Sequence, residues 1–101
     1  MLYLVYIEIP TEVGNRIDFE EGGPGKVIGY MMSRFKPQFT AVEAGTRNSF
    51  LVADLDEAQI TELGLLVSKK MNTTPQFTPL IPAEAVVELA GKAIEAVKQA
   101  P

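Results

Sequence analysis

The chain has 101 residues, of which 47% are apolar, and this length and composition predict one globular domain. It contains no cysteine and no histidine, which excludes disulfides, thiolate chemistry and histidine-based acid–base or metal sites. The formal charge of −4, with scattered basic residues, argues against a nucleic-acid partner. No metal and no cofactor are expected. The first apolar run is too short for a signal peptide or a membrane span, so we expect a cytoplasmic protein with no membrane partner.

The chain begins with a predicted β-strand over residues 2–9, which Pro10 ends. Alternation along this strand places Leu4, Tyr6 and Glu8 on one face. Both faces are mostly apolar, which is typical of a central strand that is covered on both sides. The protein's own helices are expected to cover one face, and a second subunit the other.

The next segment, residues 11–21, is polar and contains Gly14 and Asn15, so it fits either a loop or a short helix. After a glycine-rich break, apolar residues recur at helical spacing from Val27 to Phe35. Pro37 would end this helix. A strand over part of the same segment is the alternative.

A β-hairpin is predicted in the middle of the chain. Two short apolar runs, residues 39–44 and 49–55, read as strands. Between them lies Gly45-Thr46-Arg47-Asn48, a turn-forming sequence of hairpin length.

A helix, a strand and a second helix complete the predicted elements. Asp56 and Gln59 have the spacing of a capping box, so a helix is expected to begin there and to end at Asn72. Residues 76–81 read as a strand whose proline marks either a sheet edge or a bulge. Residues 83–99 alternate charged and small apolar residues and read as a last helix.

The element order is therefore βαββαβ followed by a helix, an α+β arrangement. Short right-handed connections favour a four-stranded antiparallel sheet with both main helices on one face. The uncovered face would carry Leu2, Leu4 and Tyr6, an apolar patch that favours a homo-oligomer through the sheet face.

A catalytic hypothesis follows from placing the first and third strands side by side and parallel at the centre of the sheet. Matching their ends then brings Glu8 close to Asp54. Two neighbouring carboxylates raise the pKa of one of them, and with Tyr6 as a hydrogen-bond donor they could move a proton beside a carbonyl. Arg34 or Arg47 could anchor a substrate carboxylate. The alternative is that Glu8 and Asp54 are only solvated or capping residues.

Three residues of the first predicted helix suggest a binding role without chemistry. Met31, Met32 and Phe35 could line a pliable pocket for a small apolar ligand. Ordinary core packing of the same side chains is the alternative.

The chain carries three segments that together suggest a family: LYLVYIEIP, AVEAGTRNSFLVADLDEAQITELG and QFTPLIP. It thereby resembles the muconolactone delta-isomerase group of the dimeric α/β-barrel, or ferredoxin-like, superfamily. The resemblance covers residues 1–82 and leaves residues 83–101 as an added C-terminal helical extension.

This resemblance implies a sheet-to-sheet dimer and a small pocket between the sheet and the helices. It also implies a proton-transfer isomerase that acts on a small lactone or carboxylate. Members of the superfamily include isomerases, monooxygenases and proteins with no known activity, so whether the chain is an enzyme stays open. There are two alternatives to an isomerase. The protein could be a non-catalytic module that binds a small ligand, or an assembly protein whose C-terminal helix docks onto a neighbour.

Overall fold

Branched and aromatic residues form four strands, and the chain pairs them into one open antiparallel sheet. The computed structural model describes residues 1–101 as an α+β fold with four helices. None of the helices is long and apolar enough to cross a membrane. The elements in chain order are β1 Leu2–Ile7, α1 Thr11–Phe19, α2 Gly25–Phe35, β2 Phe39–Val42, β3 Ser49–Asp54, α3 Glu57–Met71, β4 Gln76–Pro79 and α4 Ala83–Lys98.

The strands lie in the order β2-β3-β1-β4, and every neighbouring pair is antiparallel. Leu2 pairs with Asp54 and Ile7 with Ser49, so β1 and β3 run in opposite directions. The expectation that the first and third strands are parallel is therefore wrong. The helices between β1 and β2 return the chain so that β2 runs in the direction of β1, and the tight hairpin then reverses it into β3.

One face of the sheet and three helices enclose the hydrophobic core. The segment before the glycine-rich break, left open between loop and helix, is the helix α1, and its Val13 and Ile17 lie four residues apart on the face that packs inward. No polar or charged residue is buried with them. The core consists of Val5, Ile7, Val13, Ile17, Met31, Phe35, Leu51, Ala53, Leu55, Leu63, Val67 and Met71.

A side-chain capping box begins α3 and a residue in the left-handed conformation ends it, as the sequence predicts. The Gln59 amide donates to the Asp56 carboxylate (2.8 Å), and the Asp56 amide donates to the Gln59 side chain (3.0 Å), which completes a capping box. At the other end, Asn72 adopts the left-handed conformation (φ 52°) that ends many helices.

The two edges of the sheet are short. β2 and β4 have four residues each, and β4 ends at Pro79, which confirms the predicted edge position of this proline. The helices α1, α2 and α3 cover one face of the sheet. The other face is not covered by a helix and carries half-buried apolar side chains of β1 and β3.

The C-terminal helix α4 is confirmed, and it differs from the others because it contains no buried residue. Its 16 residues span about 24 Å at 1.5 Å per residue. The molecule measures 59 × 26 × 25 Å, and α4 accounts for most of the extra length. It projects from the domain as an arm.

Candidate ligand pocket beside the hairpin loop

The loop between β2 and β3 is held in one conformation by backbone and side-chain bonds. The Glu43 amide donates to the Asn48 carbonyl (2.8 Å), which closes the loop. Gly45 has φ +83°, a conformation that favours glycine. The Asn48 side chain accepts from the Ile9 amide (2.9 Å) and so ties the loop to the end of β1. This fixes Arg47 beside α1.

A cavity of about 180 Å³ lies between α1, α2 and the helix-covered face of the sheet. More than half of its lining residues are hydrophobic, 8 of 14, as in most small-molecule sites. An apolar cavity of about 150 Å³ can hold one benzene molecule, so this one has room for a ligand with a single ring. Its apolar walls include Ile7, Ile17, Val27, Met31 and Met71.

Arg47 lies at the rim of the cavity and is held there by α1. Its Nε donates to Asp18 (2.7 Å) and one terminal nitrogen donates to Asn15 (2.9 Å). About a third of the side chains of Arg47 and Asp18 is exposed. The Arg47 chain crosses α1 at Gly14, where a Cβ atom would overlap the Arg47 Cδ. Any larger residue at position 14 would therefore displace the arginine side chain from this position.

A polar groove adjoins the apolar cavity on the hairpin side. Ile9, Thr46 and Arg47 line both the cavity and the groove, so the guanidinium lies between an apolar space and a polar one. One terminal nitrogen of Arg47 donates to no protein atom, and it lies beside Gly14 on α1. The other residues of the groove include Glu8, Thr11, Asn48 and Thr73.

Of the residues proposed from the sequence for substrate binding, the structure brings two together at this cavity. Met31 lines its wall and Arg47 its rim. Phe35 lies in the core at 3% exposure and does not line the cavity. Met32 follows Met31 by 100° around α2, and its side chain points to solvent.

Arg34 is engaged elsewhere. Its guanidinium makes two hydrogen bonds with the Glu62 carboxylate, at 2.7 and 2.6 Å, which link α2 to α3 on the outer surface. The bond to Arg34 lowers the pKa of Glu62, and the same bond raises the pKa of Arg34. A side chain held by both prongs is not available to a ligand in the cavity.

The paired-carboxylate hypothesis is wrong. Because β1 and β3 are antiparallel, Asp54 lies opposite Leu2 at one end of β1, whereas Glu8 follows the other end. Six residue steps of about 3.3 Å separate these ends, so the two carboxylates are about 20 Å apart. Asp54 instead accepts from the Met1 nitrogen at 2.7 Å.

Tyr6, the third proposed catalytic residue, lies on the opposite face of the sheet from the cavity. Its ring packs against Phe50 with centroids 4.7 Å apart. Burial raises the pKa of Tyr6, and the charges of Glu43 and Glu8 raise it further, while the Asn48 side chain opposes these effects. A raised pKa makes the phenol a weaker proton donor, so this environment does not favour acid catalysis.

The sequence interpretation missed the residues that α1 contributes. Gly14, Asn15 and Asp18 became part of the site only because residues 11–19 are helical. The signal that could have predicted this helix is the spacing of Val13 and Ile17, which are four residues apart and therefore lie on one face of a helix.

Comparison of the chain with family models, with curated proteins and with solved structures finds no match.

Proposed function

We propose that this protein binds a small molecule that has an apolar body of about one ring and a carboxylate group. The observation that carries the proposal is the apolar cavity of about 180 Å³ with Arg47 at its rim. The cavity would hold the ring, and the free donors of the guanidinium would meet the carboxylate in the polar groove.

The bonds around Arg47 define how such a ligand would bind. Asp18 and Asn15 hold one side of the guanidinium, so the side chain is already oriented before a ligand arrives. The carboxylate would approach the remaining terminal nitrogen without displacing Asp18. Because Asp18 already balances the charge of Arg47, we expect a gain in affinity from hydrogen bonding more than from net charge.

We further propose that the fold is ferredoxin-like and that the chain is a muconolactone-isomerase-like member of that superfamily. The strand order β2-β3-β1-β4 with helices on one face supports this assignment. A binding function is favoured over isomerisation because the proposed acid–base pair, Glu8 and Asp54, is separated along the length of the sheet.

Titration with a matched pair of ligands tests the proposal. Benzoate and benzyl alcohol have the same ring, and only benzoate is charged. In ¹⁵N–¹H NMR spectra, both should shift amides around Ile17 and Met31, and benzoate should bind more tightly. Arg47→Gln should weaken benzoate about 10-fold, as expected for a hydrogen bond to a charged group, and leave benzyl alcohol unchanged.

Two further variants serve as controls. Val27→Trp fills the cavity and should abolish both interactions. Arg34→Gln removes an arginine that does not line the cavity and should change neither. The proposal fails if neither ligand shifts the cavity amides, and the role of Arg47 fails if Arg47→Gln binds benzoate as wild type does.

A further inference from the structure

The C-terminal helix α4 has a wide apolar face that its own chain leaves largely exposed. Ten of its 16 residues are apolar, and at 100° per residue they occupy an arc of about 200°. The charged residues share the remaining arc, and none of the 16 residues is buried. The apolar residues are Ala83, Ala85, Val86, Val87, Leu89, Ala90, Ala93, Ile94, Ala96 and Val97.

The width of the apolar arc indicates what kind of surface α4 can pack against. A helix that pairs with one other helix needs a narrow seam, and a helix on the surface of a globular protein needs an apolar stripe of about 100°. An arc twice as wide suits a broad apolar surface, such as the face of a sheet. In a simple two-helix pair, Leu89 and Ile94, which flank the seam on opposite sides, would stay partly in water.

The uncovered face of the sheet is such a surface, and we call it the open face. It carries five apolar side chains of the two central strands, all half-buried. Its length matches that of α4, because six residues at about 3.3 Å span about 20 Å. The five are Leu2, Leu4, Tyr6, Phe50 and Val52.

The areas argue for a second copy of this chain as the partner. An arc of about 200° on a helix about 10 Å wide and 24 Å long covers about 400 Å². The two central strands are about 20 Å long and the two edge strands about 13 Å, so at a spacing of about 4.8 Å the sheet presents about 320 Å². Either surface alone is half or less of the roughly 800 Å² that each partner contributes to a stable interface, whereas both together come to about 720 Å².

We propose that two copies associate by exchanging their C-terminal helices, so that α4 of each protomer lies across the open face of the other. This arrangement covers both apolar surfaces at once and closes with two-fold symmetry. It differs from the sheet-to-sheet dimer that the family resemblance implies, in which two open faces meet directly, because only the exchange requires α4. The proposal is independent of the ligand pocket, which lies on the other face of the sheet.

The molar mass in solution, measured by light scattering across a range of concentrations, tests the exchange. The full chain should be a dimer. Removal of residues 83–101, the double substitution Val86→Asp/Ile94→Asp on α4, and Val52→Asp on the open face should each give a monomer. Leu65→Asp is the matched control, because Leu65 is exposed on α3 outside both surfaces and its substitution should leave the dimer intact.

Each contrary result identifies what is wrong. A truncated chain that stays dimeric would show that the open faces meet directly. A dimeric Val52→Asp variant would show that α4 pairs with α4 alone. A full chain that is monomeric at every concentration would overturn the proposal. Far-UV circular dichroism checks that each variant is folded.

Cross-linking tests the same geometry without disturbing the apolar contacts by charge. The natural chain has no cysteine, so an introduced one is unique. Val52→Cys and Ile94→Cys proteins are prepared separately, mixed, and treated with a short bis-maleimide. Exchange predicts that mixed 52–94 cross-links dominate over 52–52 and 94–94 products, and the reverse order would overturn it.

Discussion

The contact between Gly14 and Arg47 makes a quantitative prediction about the substitution Gly14→Ala. Inside a helix, alanine normally stabilises a protein by about 1 kcal/mol relative to glycine. At position 14 the new Cβ would overlap the Arg47 Cδ, so the arginine side chain has to move. It would then lose its bonds to Asp18 and Asn15.

The gain from alanine in the helix and the loss of the Arg47 bonds oppose each other. A partly exposed ion pair contributes up to about 1 kcal/mol, and a further hydrogen bond contributes about 1 kcal/mol. Loss of the bonds made by Arg47 therefore costs about 1–2 kcal/mol, which offsets the helical gain of about 1 kcal/mol. Gly14→Ala should change the free energy of unfolding by between about 0 and 1 kcal/mol, in the destabilising direction.

Urea unfolding of the natural chain and four variants isolates this contact. Gly64→Ala is the control, because a Cβ there meets no atom within 4 Å and should stabilise by about 1 kcal/mol. In the Arg47→Ala background, Gly14→Ala should also stabilise by about 1 kcal/mol, since the obstructing side chain is gone. The reasoning is refuted if Gly14→Ala in the natural background stabilises the protein as much as Gly64→Ala does.

Three further predictions concern α3 and its contacts. Asp56→Ala removes the carboxylate that accepts from the Gln59 amide and should lower the free energy of unfolding by about 1 kcal/mol in urea titrations, whereas an unchanged midpoint would mean that this cap adds no stability. Leu63→Ala empties a fully buried site and should cost about 2–5 kcal/mol in the same assay, and a cost below about 1 kcal/mol would mean that the core collapses around the gap. Glu62 has a pKa lowered by its bond to Arg34, so the ion pair stabilises the fold above the ordinary carboxyl pKa and is lost as the pH falls through the lowered value. Glu62→Gln should therefore destabilise the protein at pH 7, and the difference from wild type should shrink as the pH falls below the ordinary carboxyl pKa; a difference that does not depend on pH would contradict this.

The order and type of most elements could be predicted from the sequence because local signals agree with the fold. The capping box of Asp56 and Gln59 and the left-handed Asn72 fix both ends of α3 through contacts within a few residues. The helix α1 stayed uncertain because Gly14 and Asn15 weaken its helical signal. What keeps α1 helical is the packing of Val13 and Ile17 on the sheet, a long-range effect.

The direction of β3 relative to β1 also follows from the chain, but only if the reversal at the hairpin is counted. Without that count, Glu8 and Asp54 are brought together in error. The bonds between Arg34 and Glu62 and between Arg47 and Asp18 join residues 28 and 29 positions apart, and no local pattern predicts such pairs. Met31 and Arg47 could be predicted as binding residues because Met31 lies on the apolar stripe of a helix and Arg47 lies in a short turn with a clear sequence signal.

The short edges of the sheet have a consequence for aggregation. Growth of a sheet from molecule to molecule needs a long edge with free backbone donors and acceptors. Here β2 offers only four residues, and β4 offers four that end in a proline without an amide hydrogen. Strand-by-strand addition is therefore blocked at both sides, and the protein should resist fibril formation even when it is concentrated and its apolar faces are in contact.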